Sequence, residues 1–221
     1  MRKKFKHNPV DLGYSDLKST TTDSGRKYVG PDGQLYPSVT TVLGALKKQS
    51  ILEWRQRVGE KEANKISRRA SSRGTAVHNM IEKYIDNDPE YTEGYLPNII
   101  SDFQNLKPIL DQRLDVVYAQ EAALYSDHLR LAGRVDCVGY FDGKRSIIDF
   151  KTSLKPKRKE WIENYFMQAA AYAIMWEERT RVPVTQLVVL ISVDNESPQV
   201  FIEHRDNWTE KLLDAIEAYK R

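Results

Sequence analysis

The chain has 221 residues, 40% of them hydrophobic and 29% charged, and a formal net charge of +3. That length can bury a real core in one domain, and a charge so mild does not by itself imply a nucleic-acid partner. A single cysteine, Cys137, excludes a disulfide framework, a cysteine-rich zinc site or a four-cysteine iron–sulfur cluster built within one chain.

The opening MRKKFKHNPVDLGY is basic but has no apolar stretch after it, so it does not read as a secretory signal, nor as a transit peptide. No apolar run is long enough to span a membrane, and the expected setting is cytoplasmic, with no membrane partner. Residues 1–25 are expected to form a flexible basic segment. RKYVGPDGQLYPSVT reads as a short hairpin turning at Pro31-Asp32-Gly33. Ser38 is placed to cap a helix that starts after Pro37. Residues 39–87 read as helix in pieces, with breaks near Lys48–Ser50, Gly59 and Ser71–Gly74, and a loop and a further helix over 98–111 follow.

From Leu114 the pattern changes. DVVYAQEAALYS, LRLAGRVDCVGYF and KRSIIDFKT are rich in β-formers and predict three consecutive antiparallel strands. EWIENYFMQAAAYAIMWEER carries apolar residues at helical spacing. VTQLVVLISV is an apolar run suited to a strand buried on both faces, with SPQVFIEH as its partner strand. DNWTEKLLDAIEAYKR closes the chain as an amphipathic helix. The expected organisation is a helical N-terminal part, 26–113, and an α/β core, 114–221.

One hairpin is unusual. Asp142-Gly143 is a strong two-residue turn signal. It pairs Phe141 with Lys144 and Val138 with Ile147. Continued, the same register sets Asp136 opposite Asp149 and Arg134 opposite Lys151, with all four side chains on one face. Two ionised carboxylates so placed repel unless one is protonated or a cation lies between them. Mg²⁺ suits one or two carboxylates plus water and phosphate oxygens. A surface hairpin whose two Asp are neutralised by Arg134 and Lys151 explains the same residues.

The residues then reach a resemblance. Gly133-Arg134-Val135-Asp136, Asp149-Phe150-Lys151-Thr152, and Gln168 with Tyr172 resemble the strand, strand and helix motifs of PD-(D/E)xK nucleases of the RecB-type branch. RGTAVHNMIEKY resembles that branch's Arg-Gly-x-x-x-His helix. YPSVTTVL, followed by Leu52 and Trp54, is similar to the N-terminal part of the mitochondrial genome maintenance exonuclease group. Val135 stands where the family name has proline.

The resemblance implies an α/β fold: a mixed sheet flanked by helices, with a helical N-terminal half that supplies His78. It implies a divalent-metal-dependent DNA exonuclease, favouring single strands with a free end and using one or two Mg²⁺ or Mn²⁺ ions without an iron–sulfur cluster. By position, His78, Asp136, Asp149 and the carbonyl of Phe150 are the implied metal ligands. Lys151 is the implied catalytic lysine, and Gln168 and Tyr172 support the site or the DNA. Replication or recombination proteins are the implied partners besides DNA. A double-strand recombination exonuclease, a structure-specific endonuclease and a non-catalytic DNA-binding protein remain alternative readings.

Without that resemblance, His78 also reads as a partly buried structural histidine and Tyr172 as core. Glu121, mid-strand, reads equally as a third acidic group at the site or as an ion-pair partner of Arg134. Lys155, Lys157 and Arg158 in KPKRKEW, with Arg73 upstream beside Arg68 and Arg69, are candidate DNA contacts or ordinary solvated charges. Trp54 and Tyr36 are candidates for stacking on unpaired bases, with core packing as the alternative.

Overall fold

A computed structural model describes residues 3–221. In chain order the elements are β1 (Lys6–His7), β2 (Ser19–Thr22), β3 (Gly25–Val29), β4 (Leu35–Pro37), α1 (Val39–Ala45), α2 (Lys48–Val58), α3 (Glu60–Ile85), α4 (Pro97–Arg113), β5 (Leu114–Ser126), β6 (Leu131–Phe141), β7 (Lys144–Ser153), α5 (Glu163–Thr180), β8 (Gln186–Val193), β9 (Gln199–His204) and α6 (Asp206–Lys220). The main sheet runs in the order β1-β5-β6-β7-β8-β9, and β2-β3-β4 form a small second sheet. β5, β6 and β7 are antiparallel neighbours, while β7 and β8 are parallel. A parallel pair needs a long crossover, and α5 supplies it.

Helices cover both faces of the main sheet. On one face Val77, Met80, Ile81, Tyr84 and Ile85 of α3, with Phe103, Leu106 and Leu110 of α4, pack against Cys137, Phe141, Ile148 and Phe150. On the other, α5 and α6 bury Phe166, Ala169, Tyr172, Ala173, Trp176 and Leu212 against Val138, Ile147, Leu187 and Val189. The alternation of Ile147 and Ile148 to opposite layers follows from the two-residue period of a strand. β8 is buried on both faces, as its uninterrupted apolar run predicts. The fold is α/β, a mixed sheet between helices, as expected.

Two local readings need correction. The expected break at Ser71–Gly74 is absent, because α3 runs unbroken through it. Ser and Gly each cost a helix up to about 1 kcal/mol relative to Ala, and the buried stripe from Val77 to Ile85 outweighs that. The break expected at Gly59 is present, its φ of 84° ending α2. Residues 3–25 do not stand off as a tail: Phe5 and Leu17 are buried, β1 pairs with β5, and Lys3 Nζ donates to the carbonyls of Asp111 and Leu114. Residues 1 and 2 lie outside the described residues. Ser38 caps α1 as expected, accepting from the Thr41 N–H at 3.0 Å.

Candidate active site

The β6–β7 hairpin holds its expected register from Phe141↔Lys144 to Cys137↔Ile148 and pairs no further. Asp136 and Asp149 are therefore not a ladder pair. Instead the Phe150 N–H donates to Asp136 Oδ2 at 2.8 Å, so the Asp136 side chain takes the hydrogen bond that the strand partner would have supplied. Arg134 leaves the expected group as well: its guanidinium donates to the Glu121 carbonyl and to Asp16 Oδ1.

The disturbance extends into β5. Glu121 sits in the left-handed region, φ 46°, in the middle of a strand. A non-glycine residue there stores strain that its surroundings must hold in place, and such strain clusters at functional sites. In β6, alternation falters opposite it, since Val135 packs on the α5 side and Cys137 on the α3 side. Through this irregularity Glu121, Asp136 and His78 converge.

One ligand atom from each of His78, Glu121 and Asp136 lies within 4.8 Å of the others. His78 Nδ1 is 3.7 Å from Asp136 Oδ2, and its ring meets Phe150 edge-on at 6.2 Å. Burial pushes the Glu121 carboxyl up to about 7, helped by the charges of Asp136 and Glu82 and opposed by Arg134. Two carboxylates and an imidazole, short of compensating charge, suit a divalent cation such as Mg²⁺ or Mn²⁺.

Asp149 and Lys151 lie beside this cluster. Lys151 Nζ donates to Asp149 Oδ1 at 2.6 Å, while Asp149 Oδ2 is buried with no hydrogen-bond partner among the described residues. Burial raises the Asp149 carboxyl; Lys151 opposes that shift and Asp136 adds to it. Burial pulls the Lys151 ammonium down, but Asp149 and Asp136 outweigh it and the net shift is upward, so the ammonium persists. The orphaned oxygen is the kind of atom that a cation or water satisfies.

α5 backs the site. Gln168 Nε2 reaches Tyr172 Oη at 3.5 Å, and the Tyr172 ring lies directly over Gly133. Tyr165 places its ring 5.1 Å from Lys151 Nζ. The sequence reading missed Tyr165, although its spacing of three and seven residues from Gln168 and Tyr172 puts all three on one helix face.

The candidate DNA contacts divide. Lys155 and Arg158 are exposed and Lys157 is half-buried on the loop after β7. Arg73 forms a bidentate pair with buried Asp102, both bonds 2.6 Å, so its charge is already engaged. Tyr172 is buried against Gly133 and offers no surface to DNA. Tyr36 is fully buried with its hydroxyl on Asp127, which removes it as a stacking residue, and Trp54 is half-buried. Arg68 and Arg69 are exposed on α3.

Comparisons with known proteins bear on the family. Mitochondrial genome maintenance exonuclease 1 of Xenopus tropicalis is 28% identical over a 185-residue alignment that covers 73% of this chain and 50% of that protein. The Homo sapiens protein of the same name is 30% identical over a 148-residue alignment that covers 62% of this chain and 42% of its own length. The chain thus spans half or less of the length of these curated relatives. A crystal structure of a provisionally named exonuclease from Eubacterium rectale, 18% identical, covers 67% of this chain and 64% of its own with a TM-score of 0.44, a likeness too loose to bear on function. The family model of the PD-(D/E)XK nuclease superfamily matches residues 49–220. With most of its length matched by that model, the chain belongs to the PD-(D/E)XK nuclease superfamily.

Proposed function

We propose that this chain is a divalent-metal-dependent DNA exonuclease that prefers single-stranded DNA with a free end. The observation that carries the reading is the convergence of His78, Glu121 and Asp136 within 4.8 Å, beside the pair that half-buried Lys151 makes with buried Asp149. Nucleases of this superfamily use divalent metals, and the exonuclease names of the curated relatives support action from an end.

In this reading His78, Glu121 and Asp136 hold the cation, with Asp149 Oδ2 and the Phe150 carbonyl available to it. A cation bound there supplies Lewis-acid charge and makes a nearby water a better nucleophile. Lys151 meets the phosphate oxygens and offsets the charge that builds on them during in-line displacement. Asp149 keeps the Lys151 ammonium aimed at that position. Asp136 locks β7 to β6 through the Phe150 N–H, which fixes the distance between the ligand cluster and Lys151. Gln168 and Tyr172 hold β6 and α5 together behind the carboxylates.

The test is cleavage of end-labelled linear single strands, linear duplex and circular single strands with Mg²⁺ or Mn²⁺, beside Lys151→Ala. Linear single strands should be digested from an end and the circle left intact, with Lys151→Ala inactive. Cutting of circular single strands would sink the exonuclease assignment, and binding without cleavage in either metal would favour a DNA-binding module.

A further inference from the structure

Trp161 is the one exposed aromatic among the described residues, with 58% of its surface open. Every other described Trp, Tyr and Phe is buried or half-buried. An indole left in water forgoes the burial energy that a core position would recover. The segment that carries it is firmly held. The Lys157 N–H donates to Gln199 Oε1 at 2.7 Å, and Gln199 Nε2 donates back to the Lys157 carbonyl at 2.9 Å. The Trp161 N–H donates to the Arg158 carbonyl at 3.0 Å, and the next residue, Ile162, is buried.

The charges around it are mixed, with Glu160 exposed beside it and Glu163 paired with Lys211, and the basic side chains are partly free. The Arg158 guanidinium lies 5.3 Å from the indole centre. Lys155 is exposed, whereas Lys159 is engaged with Glu203. Four residues beyond Trp161, Tyr165 contacts Lys151 Nζ. A preorganised indole with a guanidinium over it thus ends the short turn that leads into α5, four residues before the residue that touches the lysine of the site.

We propose that Trp161, flanked by Arg158, is a stacking platform for an unpaired DNA base within two nucleotides of the scissile phosphate. The inference rests on the nuclease reading above and gives it a physical source of single-strand preference. An unpaired base offers a free face to the indole, whereas inside a duplex both faces are covered by neighbouring pairs. The basic loop holds the backbone while the ring holds the base, the division of labour usual in single-strand binding.

The test compares wild type, Trp161→Phe and Trp161→Ala on single strands that carry bases and on matching strands made wholly of abasic sites. Binding is read by anisotropy in EDTA, and cleavage is read with a single abasic site walked past the labelled end. Wild type should prefer the base-bearing strand by about tenfold, the scale of one lost stack. Trp161→Phe should keep most of that preference and Trp161→Ala should lose it, with unchanged melting. One abasic position within two nucleotides of the cut should slow wild type and leave Trp161→Ala no slower than on intact DNA. An equal preference for bases in wild type and Trp161→Ala overturns the platform, and so does an abasic penalty that survives Trp161→Ala. If wild type digests linear single strands while either of those results holds, the nuclease reading stands and the platform alone fails. If wild type does not cleave, the binding comparison still decides the platform.

Discussion

Gly133→Ala isolates the contact that joins β6 to α5 behind the carboxylates. A Cβ on residue 133 would lie 2.7 Å from Tyr172 Cε1, 2.9 Å from its Oη and 3.2 Å from its Cζ. Carbon atoms in ordinary contact are about 3.5–4.0 Å apart, so the ring or the strand must move by most of an ångström. Tyr172 is 2% exposed within the α5 layer and has no solvent to swing into. Overpacking of this kind costs about 1–3 kcal/mol. At roughly 2–4 °C per kcal/mol for a chain of this size, the melting temperature should fall by about 4–8 °C for a 2 kcal/mol penalty. Asp136, three residues along the same strand, should be displaced with it, so cleavage should fall further than stability alone explains. The discriminating partner is Tyr172→Leu, which removes the clashing atoms. In that background Gly133→Ala should be neutral or slightly stabilising, since Gly in a strand interior costs about 0.5–1 kcal/mol relative to Ala. An equal loss from Gly133→Ala in both backgrounds refutes the steric argument.

Further outcomes follow from the charges. Glu121 has its carboxyl raised to about 7 by burial and by Asp136 and Glu82. A folded value above the unfolded one means that its contribution is fully present below the unfolded value and is lost as pH rises through 7. The melting gain produced by Mn²⁺ in scanning fluorimetry should therefore be larger at pH 8 than at pH 5, and a pH-independent gain contradicts the assignment. Arg73→Ala should cost about 3 kcal/mol in urea unfolding, because it strands the buried Asp102 charge. Its DNA binding, compared at matched folded fraction, should keep the wild-type salt dependence. Lys155→Ala and Arg158→Ala should each flatten the plot of log affinity against log salt by up to about one unit with little change in melting; an unchanged slope removes that loop from the DNA path.

Much of the fold was legible because the local signals agreed with one another. The Asp142-Gly143 turn fixed the hairpin register, and four more pairs beyond Phe141↔Lys144 hold it. The apolar run of β8 and the cap at Ser38 were equally direct. What escaped was tertiary. The ladder ends one pair short of Asp136 and Asp149 because the Asp136 carboxylate captures the Phe150 N–H. Glu121 enters the ligand cluster through a left-handed backbone that no propensity scale assigns to a glutamate. Arg73 reads as a DNA contact until Asp102, twenty-nine positions away, is seen to claim it. Phe5 and Leu17 sit in a segment with no periodicity, yet each finds a buried place on the body of the protein.

We infer that His78, Glu121 and Asp136 form one cation site that cleavage requires. Calorimetric titration of Mn²⁺ into the wild type, His78→Ala, Glu121→Gln and Asp136→Asn, each also assayed for digestion of linear single strands, tests this most directly. Wild type should bind Mn²⁺ and cleave, and each substitution should weaken both together. Glu121→Gln or Asp136→Asn with wild-type Mn²⁺ affinity, or full cleavage after binding is lost, would contradict it.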